Sequence, residues 1–195
     1  MERLARQIAF VKELDRLKGV QRQTWLADAS RRENSAEHSW HIAVMALVLA
    51  EYSPRNDLDL GRVIQMLLVH DVVEIDAGDT FCYNREAVAQ QAEHEERAAK
   101  RLFGILPPDM AARFRGLWDE FEARRTPESL LANALDRLQP ILNNYASGGK
   151  SWRANGITRE QVRRRNRIVA EGAPELWAYI EDLLQQAVRQ GFLEE

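Results

Sequence analysis

The sequence predicts an all-α fold, built as a single compact domain over residues 1–195. Apolar residues recur at spacings of three and four in segment after segment, which is the periodicity of amphipathic helices, whereas alternating strand-like stretches are nearly absent. No internal repeat, low-complexity tract or linker divides the chain. A chain of 195 residues is long enough for one substantial hydrophobic core and short for two.

The first two helices are predicted from an apolar stripe and from the residues at their ends. The first helix ends at Gly19 and carries a stripe of Leu4, Ile8, Val11, Leu14 and Leu17. Ser35 is the predicted N-cap of the second helix, which runs toward Tyr52 and stops before Pro54.

The third helix is expected to lead into an irregular loop. Its apolar face covers residues 60 to about 72, and residues 76–84 then lack any clear periodicity, which indicates a loop. The next helix is expected to begin near Glu86 and to continue to Leu102.

Helix starts in the second half are marked by capping residues. Residues 126–128 supply a threonine cap, a proline at the first helical position and an acid in the first turn. The helix that follows should carry Leu130, Leu131, Leu135, Leu138 and Leu142. Residues 147–149 are predicted to form a flexible connection, Thr158 with Gln161 resembles a capping box, and a terminal helix follows Pro174.

Composition excludes several classes of protein. The longest apolar run, residues 42–50, is too short to cross a bilayer, and the first residues do not resemble a secretion signal, so we expect a cytoplasmic protein without a membrane partner. A formal charge of -3 gives no general electrostatic reason to bind polymer nucleic acid. The single cysteine, Cys82, cannot form an internal disulfide or a thiolate metal cluster, and we assign it no nucleophilic role. Any metal must therefore be held by carboxylates and by some of the four histidines.

His70 and Asp71 are the most informative residues, because they end an apolar helix immediately before the predicted loop. Polar side chains are costly to bury among aliphatic residues unless they have partners. Adjacent helical residues point roughly 100° apart, so both can reach one ion only beside the helix end. Further ligands must come from other helices, and His38 and Asp136 each interrupt an apolar helix face. Two imidazoles and two carboxylates suit Mn, Fe, Co, Ni or Zn better than Ca.

The order His38, then His70-Asp71, then Asp136 resembles the HD superfamily of metal-dependent phosphohydrolases. The resemblance is strongest to the branch of bacterial 5'-deoxynucleotidases and small eukaryotic HD-domain-containing proteins. It covers residues 17 to about 145, where it implies the metal-site core, with the C-terminal helices packed on it. The segments that carry it are Arg22, residues 33–39, residues 70–74, Gly78-Asp79 and Leu135-Asp136. An isolated His-Asp pair is common, whereas this ordered set is specific.

The resemblance also implies roles for further residues. Glu74 matches the family's acidic residue near the metal-bound water, and Asp79 matches a second acid in the same loop. Arg22 matches an arginine that contacts the substrate phosphate; its alternatives are a surface position or a pair with Glu37. One divalent cation is implied, which would be Mn, Co, Fe, Ni, Zn or Mg. The implied reaction is hydrolysis of a phosphate monoester, a (deoxy)nucleoside 5'-monophosphate, to nucleoside and phosphate, and a homodimer is compatible with it.

Other functions and other residues stay open at this point. The family's phosphodiesterases and guanosine-polyphosphate hydrolases usually carry a second acid directly after the glutamate, where this chain has Ile75. A noncatalytic regulatory or binding module could use the same metal-stabilised fold. His41 is either a neighbour of the metal ligands or, as we expect, a packing or surface residue. Solvated helix faces are expected for His94 and for Arg163, Arg164, Arg165 and Arg167.

Overall fold

The computed structural model describes residues 1–81, 83 and 85–195, with the backbone alone for residues 85–89. The described chain is helical and contains one small two-stranded sheet, so the all-α prediction is confirmed. Cys82 lies outside the described residues, and the expectation about its role lies there with it. Among the helices of the described residues, none combines the length and the apolarity that a membrane span requires.

The helices follow one another with short connections. Those of the first half are α1 (Glu2–Leu14), α2 (Ser35–Leu49), α3 (Leu60–Val69), α4 (Glu74–Ala77) and α5 (Arg85–Phe103). Those of the second half are α6 (Pro108–Ala123), α7 (Pro127–Ala146), α8 (Lys150–Ala154), α9 (Arg159–Asn166), α10 (Val169–Gly172) and α11 (Pro174–Arg189). Short 3₁₀ turns cover Asp15–Gly19, Ala50–Tyr52 and His70–Val73.

Helix α7 runs through the middle of the molecule. It begins as the sequence predicts, because Thr126 and Ser129 cap each other's backbone amides and Pro127 occupies the first turn. Its aliphatic side chains, including Leu131 and Leu135, are fully buried. The helix packs against α2, α3, α6, α10 and α11. Because these neighbours come from both halves of the chain, the polar residues of α7 are brought into the interior beside those of α2 and α3.

Helix α2 begins one residue earlier than the sequence analysis placed it. Its N-cap is Asn34 rather than Ser35: the Asn34 side chain accepts a hydrogen bond from the Glu37 amide, and the Glu37 side chain accepts from the Asn34 amide. This reciprocal arrangement satisfies two amides that a helix start leaves unpaired. Ser35 is thereby released from capping, and its hydroxyl is free to bind elsewhere.

A short antiparallel hairpin was not predicted. Strand β1 (Gln21–Trp25) pairs with β2 (Arg32–Asn34), with Gln21 opposite Asn34 and Trp25 opposite Arg32. Both strands are too short and too polar to show a clear alternating pattern, and their pairing depends on contacts outside the strands. Because β1 contacts α7, the hairpin holds Arg22 in the interior of the protein.

The apolar stripe predicted for the first helix faces the core only at its C-terminal end, where Leu17 is buried and Leu14 packs against the core. Leu4, Ile8 and Val11 are exposed, whereas Phe10 is buried and its ring lies 5.4 Å from that of Phe114. Helix α1 lies at the edge of the molecule, so it buries only the face around Phe10. It also ends at Leu14, where the 3₁₀ turn begins.

Two predicted loops are shorter and tighter than expected. Helix α4 includes Asp76 and Ala77, so the loop begins only at Gly78. The connection after α7 is a packed turn rather than a flexible one, because the Gly149 amide donates to the Asn144 carbonyl over 2.7 Å. A Cβ atom on Gly149 would lie 2.0 Å from the Phe192 carbonyl oxygen, so only glycine fits this close approach.

Candidate metal centre

His70 and Asp71 lie at the carboxyl end of α3, where the helix tightens into a 3₁₀ turn. Both side chains are buried, with exposed fractions of 6% and 8%. The Nδ1–H of His70 donates to the Leu67 carbonyl over 2.9 Å. Because that carbonyl can only accept, Nδ1 carries a proton, and the lone pair of the neutral ring is on Nε2, which lies 2.9 Å from Asp71 Oδ1. The helix end thus presents a nitrogen lone pair and a carboxylate side by side.

His38 comes from the inner face of α2 and is completely buried. Its Nδ1 lies 3.2 Å from the Gln139 side-chain oxygen, and the Gln139 amide nitrogen donates to the Glu33 carboxylate over 2.6 Å. Since the carboxylate can only accept, the Gln139 amide has one orientation, and Nδ1 of His38 must carry the proton. The lone pair of His38 is therefore also on Nε2. Each histidine has its ring orientation set by a hydrogen bond on the side away from the site.

The structure brings together all four residues of the predicted ligand set. The candidate ligand atoms of His38, His70 and Asp71 all lie within 4.8 Å of one another. Oδ1 of Asp136 lies 3.0 Å from His38 Nε2 and 3.7 Å from His70 Nε2. These residues come from α2, α7 and the end of α3, which pack against each other.

The donor set fits a divalent cation. His70 Nε2 is buried and has no hydrogen-bonded partner among the described residues, although Asp71 Oδ1 lies only 2.9 Å away. Two imidazole lone pairs facing two carboxylates repel each other unless a proton or a cation lies between them. Mixed nitrogen and oxygen ligands of this kind suit borderline divalent metals. A His/Asp cluster that could hold a metal is therefore present.

Asp71, His70 and Asp136 shift one another's pKa values. Burial alone would raise the pKa of Asp71, but the charges of His70 and Arg22 outweigh it and hold this pKa at about 2. Burial would likewise lower the pKa of His70, but Asp71 and Asp136 raise it well above its ordinary value. Asp136 has a pKa well below its ordinary value, because Arg137 and the two histidines outweigh its burial. Both carboxylates are thus held ionised, as metal ligands must be.

Glu74 lies one turn beyond Asp71, at the start of α4, and is buried. Its Oε2 accepts a hydrogen bond from the Ser35 hydroxyl over 2.5 Å, and its Oε1 lies 4.0 Å from the Arg22 guanidinium. Burial and the nearby Asp71 carboxylate raise the pKa of Glu74 well above its ordinary value. A buried carboxyl with a raised pKa beside a candidate metal site is a candidate proton donor.

Asp79 reaches the same cavity from the loop after α4. Its Oδ2 accepts the backbone N–H of Gln23 over 3.1 Å, and burial raises its pKa. Gly78 makes this position possible, because its backbone angles of φ 74° and ψ 161° are essentially restricted to glycine. A side chain at Gly78 would meet no atom within 4 Å, so the requirement for glycine is conformational rather than steric.

Arg22 is placed among carboxylates rather than at the surface. Its guanidinium donates to Asp71 Oδ2 over 2.6 Å, and its Nε lies 3.7 Å from Glu33 Oε2. The alternative pair with Glu37 is wrong, because Arg31 hydrogen-bonds both oxygens of that carboxylate. Arg22 therefore contacts a candidate metal ligand directly.

The site opens into a cavity of about 330 Å³. Asp136, Pro140 and Asn144 line it at successive turns of α7, so it extends about 12 Å along that helix at a rise of 1.5 Å per residue. The cavity is therefore long enough for a ligand that extends well beyond the candidate metal site.

Sequence reasoning missed much of the cavity wall. Among the lining residues that it did not assign to the site are Trp118, Arg124, Arg137, Ser151, Trp152 and Asn166. Arg165 also lines the cavity, so the expectation of a solvated face is wrong for this member of the arginine cluster, whereas Arg163 pairs with Glu181. The only available signal was the position of Arg137 directly after Asp136, since the other residues join the cavity through long-range packing.

Two histidines lie outside the ligand set. His94 is exposed on α5, as expected. His41 is half-buried, and its Nδ1 lies 3.3 Å from the Gln139 side-chain nitrogen. It therefore contacts the residue that orients His38 and does not reach the candidate metal site itself.

Comparisons with known proteins agree with this architecture. The family model for the HD domain matches residues 14–177. A crystal structure of a "predicted metal-dependent phosphohydrolase" from Magnetospirillum magnetotacticum superposes with a TM-score of 0.94, at 50% identity over 100% of both chains. Human 5'-deoxynucleotidase HDDC2 is 29% identical over 136 residues, which are 69% of this chain and 65% of the relative. The 5'-deoxynucleotidase YPTB2590 of Yersinia pseudotuberculosis is 27% identical over 86% of both chains.

The chain therefore belongs to the HD domain family. The matched region spans about two thirds of the length of the human relative. Residues 14–177, which the family model matches, include the hairpin and the chain from α2 to α7, and so every residue of the candidate metal centre.

Proposed function

We propose that this protein is a metal-dependent phosphohydrolase that releases phosphate from a deoxynucleoside 5'-monophosphate. The observation that carries the proposal is the convergence of two histidine Nε2 atoms and two ionised carboxylates, beside a buried carboxyl with a raised pKa. The names of the human and Yersinia relatives support this substrate class. The Magnetospirillum structure, at 50% identity, supports the reaction class.

In this proposal His38, His70, Asp71 and Asp136 hold one divalent cation, which would be Mn, Co, Fe, Ni, Zn or Mg. Gln139 and the Leu67 carbonyl keep both imidazole rings oriented with Nε2 toward the ion. When bound, such a cation lowers the pKa of a coordinated water from about 15.7 toward about 7 and neutralises phosphate oxygens. The ligand set leaves room for water and substrate if the ion is octahedral.

Glu74 is the proposed proton donor. Burial and the neighbouring Asp71 raise its pKa and so favour the protonated carboxyl, and Ser35 donates a hydrogen bond to it. A protonated carboxyl can transfer its proton to the departing ester oxygen of the nucleoside. Asp79, held by the Gln23 amide in the same cavity, is proposed to assist in moving protons to and from Glu74.

Arg22 has two proposed roles. Its hydrogen bond to Asp71 holds that carboxylate in place. Because the side chain also lines the cavity, its remaining donors can contact the substrate phosphate.

The decisive experiment measures phosphate release from a panel of phosphate esters. Protein freed of metal with a chelator is supplied with each divalent metal in turn, and the Asp71→Asn variant is assayed in parallel. We expect a transition metal to restore hydrolysis of deoxynucleoside 5'-monophosphates, and the variant to be inactive. Unchanged activity in the variant would exclude the proposed site.

The same panel separates the alternatives. Preference for phosphodiesters or guanosine polyphosphates over monoesters would contradict the proposed substrate class. Tight metal binding without turnover on any ester would identify a noncatalytic module instead.

We also propose that the protein is a homodimer formed through the outer face of α2. Trp40, Val44, Leu47 and Val48 lie on this face at helical spacing, and their exposed fractions range from 39% to 64%. After Glu37 the helix contains no Asp, Glu, Lys or Arg, so the apolar stripe on its outer face carries no charge from these residues. An exposed apolar patch of this kind is typical of a protein–protein interface. An uncharged stripe pairs with a second copy of itself without placing like charges in contact. A cytoplasmic location belongs to the same proposal, because deoxynucleotides are intracellular metabolites.

A further inference from the structure

Arg137 follows Asp136 directly on α7 and lines the same cavity. Its Nε lies 3.7 Å from Asp136 Oδ2, and its side chain is 16% exposed. No hydrogen bond joins its guanidinium to any other described residue. Many other arginines of the described chain form hydrogen-bonded ion pairs, for example Arg3 with Asp109 and Arg115 with Glu96. Arg137 is thus a largely buried cation without such a partner, placed beside a candidate metal ligand.

The two carboxylates of the candidate metal centre each have an arginine beside them, but the two arginines differ. Arg22 donates to Asp71 over 2.6 Å and also lies within 4.0 Å of Glu33 and Glu74. Its charge is therefore shared among several carboxylates. Among the described residues, Asp136 is the one carboxylate within 4.0 Å of Arg137, and the distance is too long for a hydrogen bond. Its planar array of donors is available to another anion.

The sum of the charges around the candidate metal centre indicates whether an anion can bind there. A divalent cation would balance Asp71 and Asp136, and Arg22 is balanced by Glu33, so this set has no net charge. Any ionisation of Glu74 or Asp79 would make the set negative. A phosphate monoester carries up to two negative charges, and enzymes that transfer phosphoryl groups surround them with arginine, lysine or metal ions. Arg137 supplies a positive charge that the set otherwise lacks.

We propose that Arg137 binds the phosphate group of the substrate from the α7 side of the cavity, while Arg22 approaches from β1. This inference rests on the proposed function for the identity of the substrate, but the phosphate contact can be tested without turnover. A guanidinium binds two phosphate oxygens at once through parallel N–H donors, which an ammonium group cannot reproduce. Replacement by lysine should therefore restore binding only in part.

The test measures binding of inorganic phosphate to the metal-loaded protein by titration calorimetry. Arg137→Gln should weaken phosphate binding by at least about tenfold, and Arg137→Lys by less, because lysine keeps the charge and loses the paired geometry. The matched control is Arg97→Gln on α5, which removes one positive charge from a side chain that is 64% exposed and outside the cavity. Phosphate binding should be unchanged in this control.

Metal affinity separates a phosphate contact from a purely positioning role. If Arg137 binds phosphate, the affinity of Arg137→Gln for the divalent metal alone should stay within about twofold of the parent protein, since Arg137 makes no hydrogen bond that would hold the Asp136 carboxylate in place. A loss of metal affinity that accounts for the whole loss of phosphate affinity would show that Arg137 acts only on Asp136, and would overturn the proposal. Unchanged phosphate affinity in Arg137→Gln would overturn it as well, and so would a parent protein that binds no phosphate.

Turnover distinguishes the two proposals. For an active parent enzyme, kcat/KM for a deoxynucleoside 5'-monophosphate should fall by about 10²-fold to 10³-fold in Arg137→Gln, as expected for loss of a donor to a developing charge. A parent protein that binds phosphate through Arg137 but hydrolyses no nucleotide would contradict the proposed function and leave this inference standing.

Discussion

Two regions of this protein depart from the usual division between a hydrophobic interior and a polar surface, and they do so in opposite directions. The candidate metal centre buries charged and polar side chains, including His38, Asp71 and Glu74. The outer face of α2 exposes apolar side chains, including Trp40 and Leu47. Both departures are unfavourable for an isolated folded chain, because buried charges need partners and exposed apolar area remains in contact with water.

The difference lies in where the missing partner has to come from. At the metal centre the polar atoms face one another across a short gap, so a single cation could satisfy them together. On α2 the apolar side chains point outward along four residues of one stripe, so only another surface can cover them. Buried polar groups and exposed apolar patches are therefore both informative, the first about ligands and the second about interfaces.

The largest expected effect comes from removing a carboxylate of the metal centre. Asp136→Asn should lower kcat/KM by at least about 10³-fold, because the site loses a ligand and the transition-state stabilisation that a bound metal supplies. Metal content measured on the purified variant should fall in parallel. Asp182→Asn on the exposed side of α11 is the matched control and should retain both properties. A fully active, metal-loaded Asp136→Asn protein would contradict the proposed ligand set.

Replacement of the proposed proton donor is expected to have the next largest effect. Glu74→Gln should reduce kcat by about 10²-fold to 10³-fold, in the range of general acid catalysis, while metal affinity is retained. Activity of the parent should fall as the pH rises through the raised pKa of Glu74, because the carboxyl then loses the proton that it donates. That alkaline decline should disappear in the variant.

The corresponding control is Glu175→Gln on the surface of α11, which should leave the pH profile unchanged. If Glu74→Gln keeps the same alkaline decline as the parent, the titrating group is another residue and the role of Glu74 is wrong.

Gln139 offers a smaller test of how the buried polar region is organised. It orients His38 without touching the candidate ion, so Gln139→Leu should weaken metal binding by about 10-fold to 100-fold, as found for residues that orient metal ligands. The measurement is a competition titration with a chromophoric chelator. Gln185→Leu, on the exposed side of α11, serves as the control. Equal metal affinities for the two variants would show that the hydrogen bond to His38 is unimportant.

Metal affinity should also depend on pH in a defined direction. Asp71 and Asp136 raise the pKa of His70, so a proton competes with the cation for Nε2. Below that raised pKa, affinity should fall by about tenfold for each pH unit, since one proton is displaced on binding. The stability of the metal-free protein should depend on pH in the opposite direction, since it should fall as the pH rises. Protonated His70 stabilises it fully below the ordinary histidine pKa, and that contribution to the unfolding free energy is lost as the pH rises through the raised value. Metal affinity that is independent of pH would contradict this competition.

The smallest effect on activity is expected from the apolar face of α2. Leu47→Glu should convert a dimer to a monomer, measured by analytical ultracentrifugation, and should change the activity per site by no more than about twofold, because the metal centre lies within one chain. Leu4→Glu on α1 alters a residue of nearly equal exposure, 62% against 63%, and should leave the dimer intact. Dissociation by Leu4→Glu but not by Leu47→Glu would place the interface on α1 instead.

Several features of the fold could be predicted because they depend on neighbouring residues. The helix starts at Thr126 and Thr158 are capping boxes within four residues, and the structure contains both. The cap of α2 was assigned to Ser35 although the sequence held the better signal: Glu37 is three residues after Asn34, which is the spacing of a capping box. The β1–β2 hairpin could not be predicted in the same way, since its short polar strands are stabilised by contacts with α7.

The sequence by itself determined the helical class of the fold and the residue types available for a metal site, because periodicity and side-chain chemistry are local properties of the chain. Only the tertiary structure decided which polar residues meet. Ser35 reaches Glu74 across 39 positions, and Gln139 reaches Glu33 across 106 positions. The place of Arg137, Trp152 and Arg165 in one cavity has the same origin. Such contacts depend on how whole helices pack, and packing combines many weak interactions that no short segment of sequence contains.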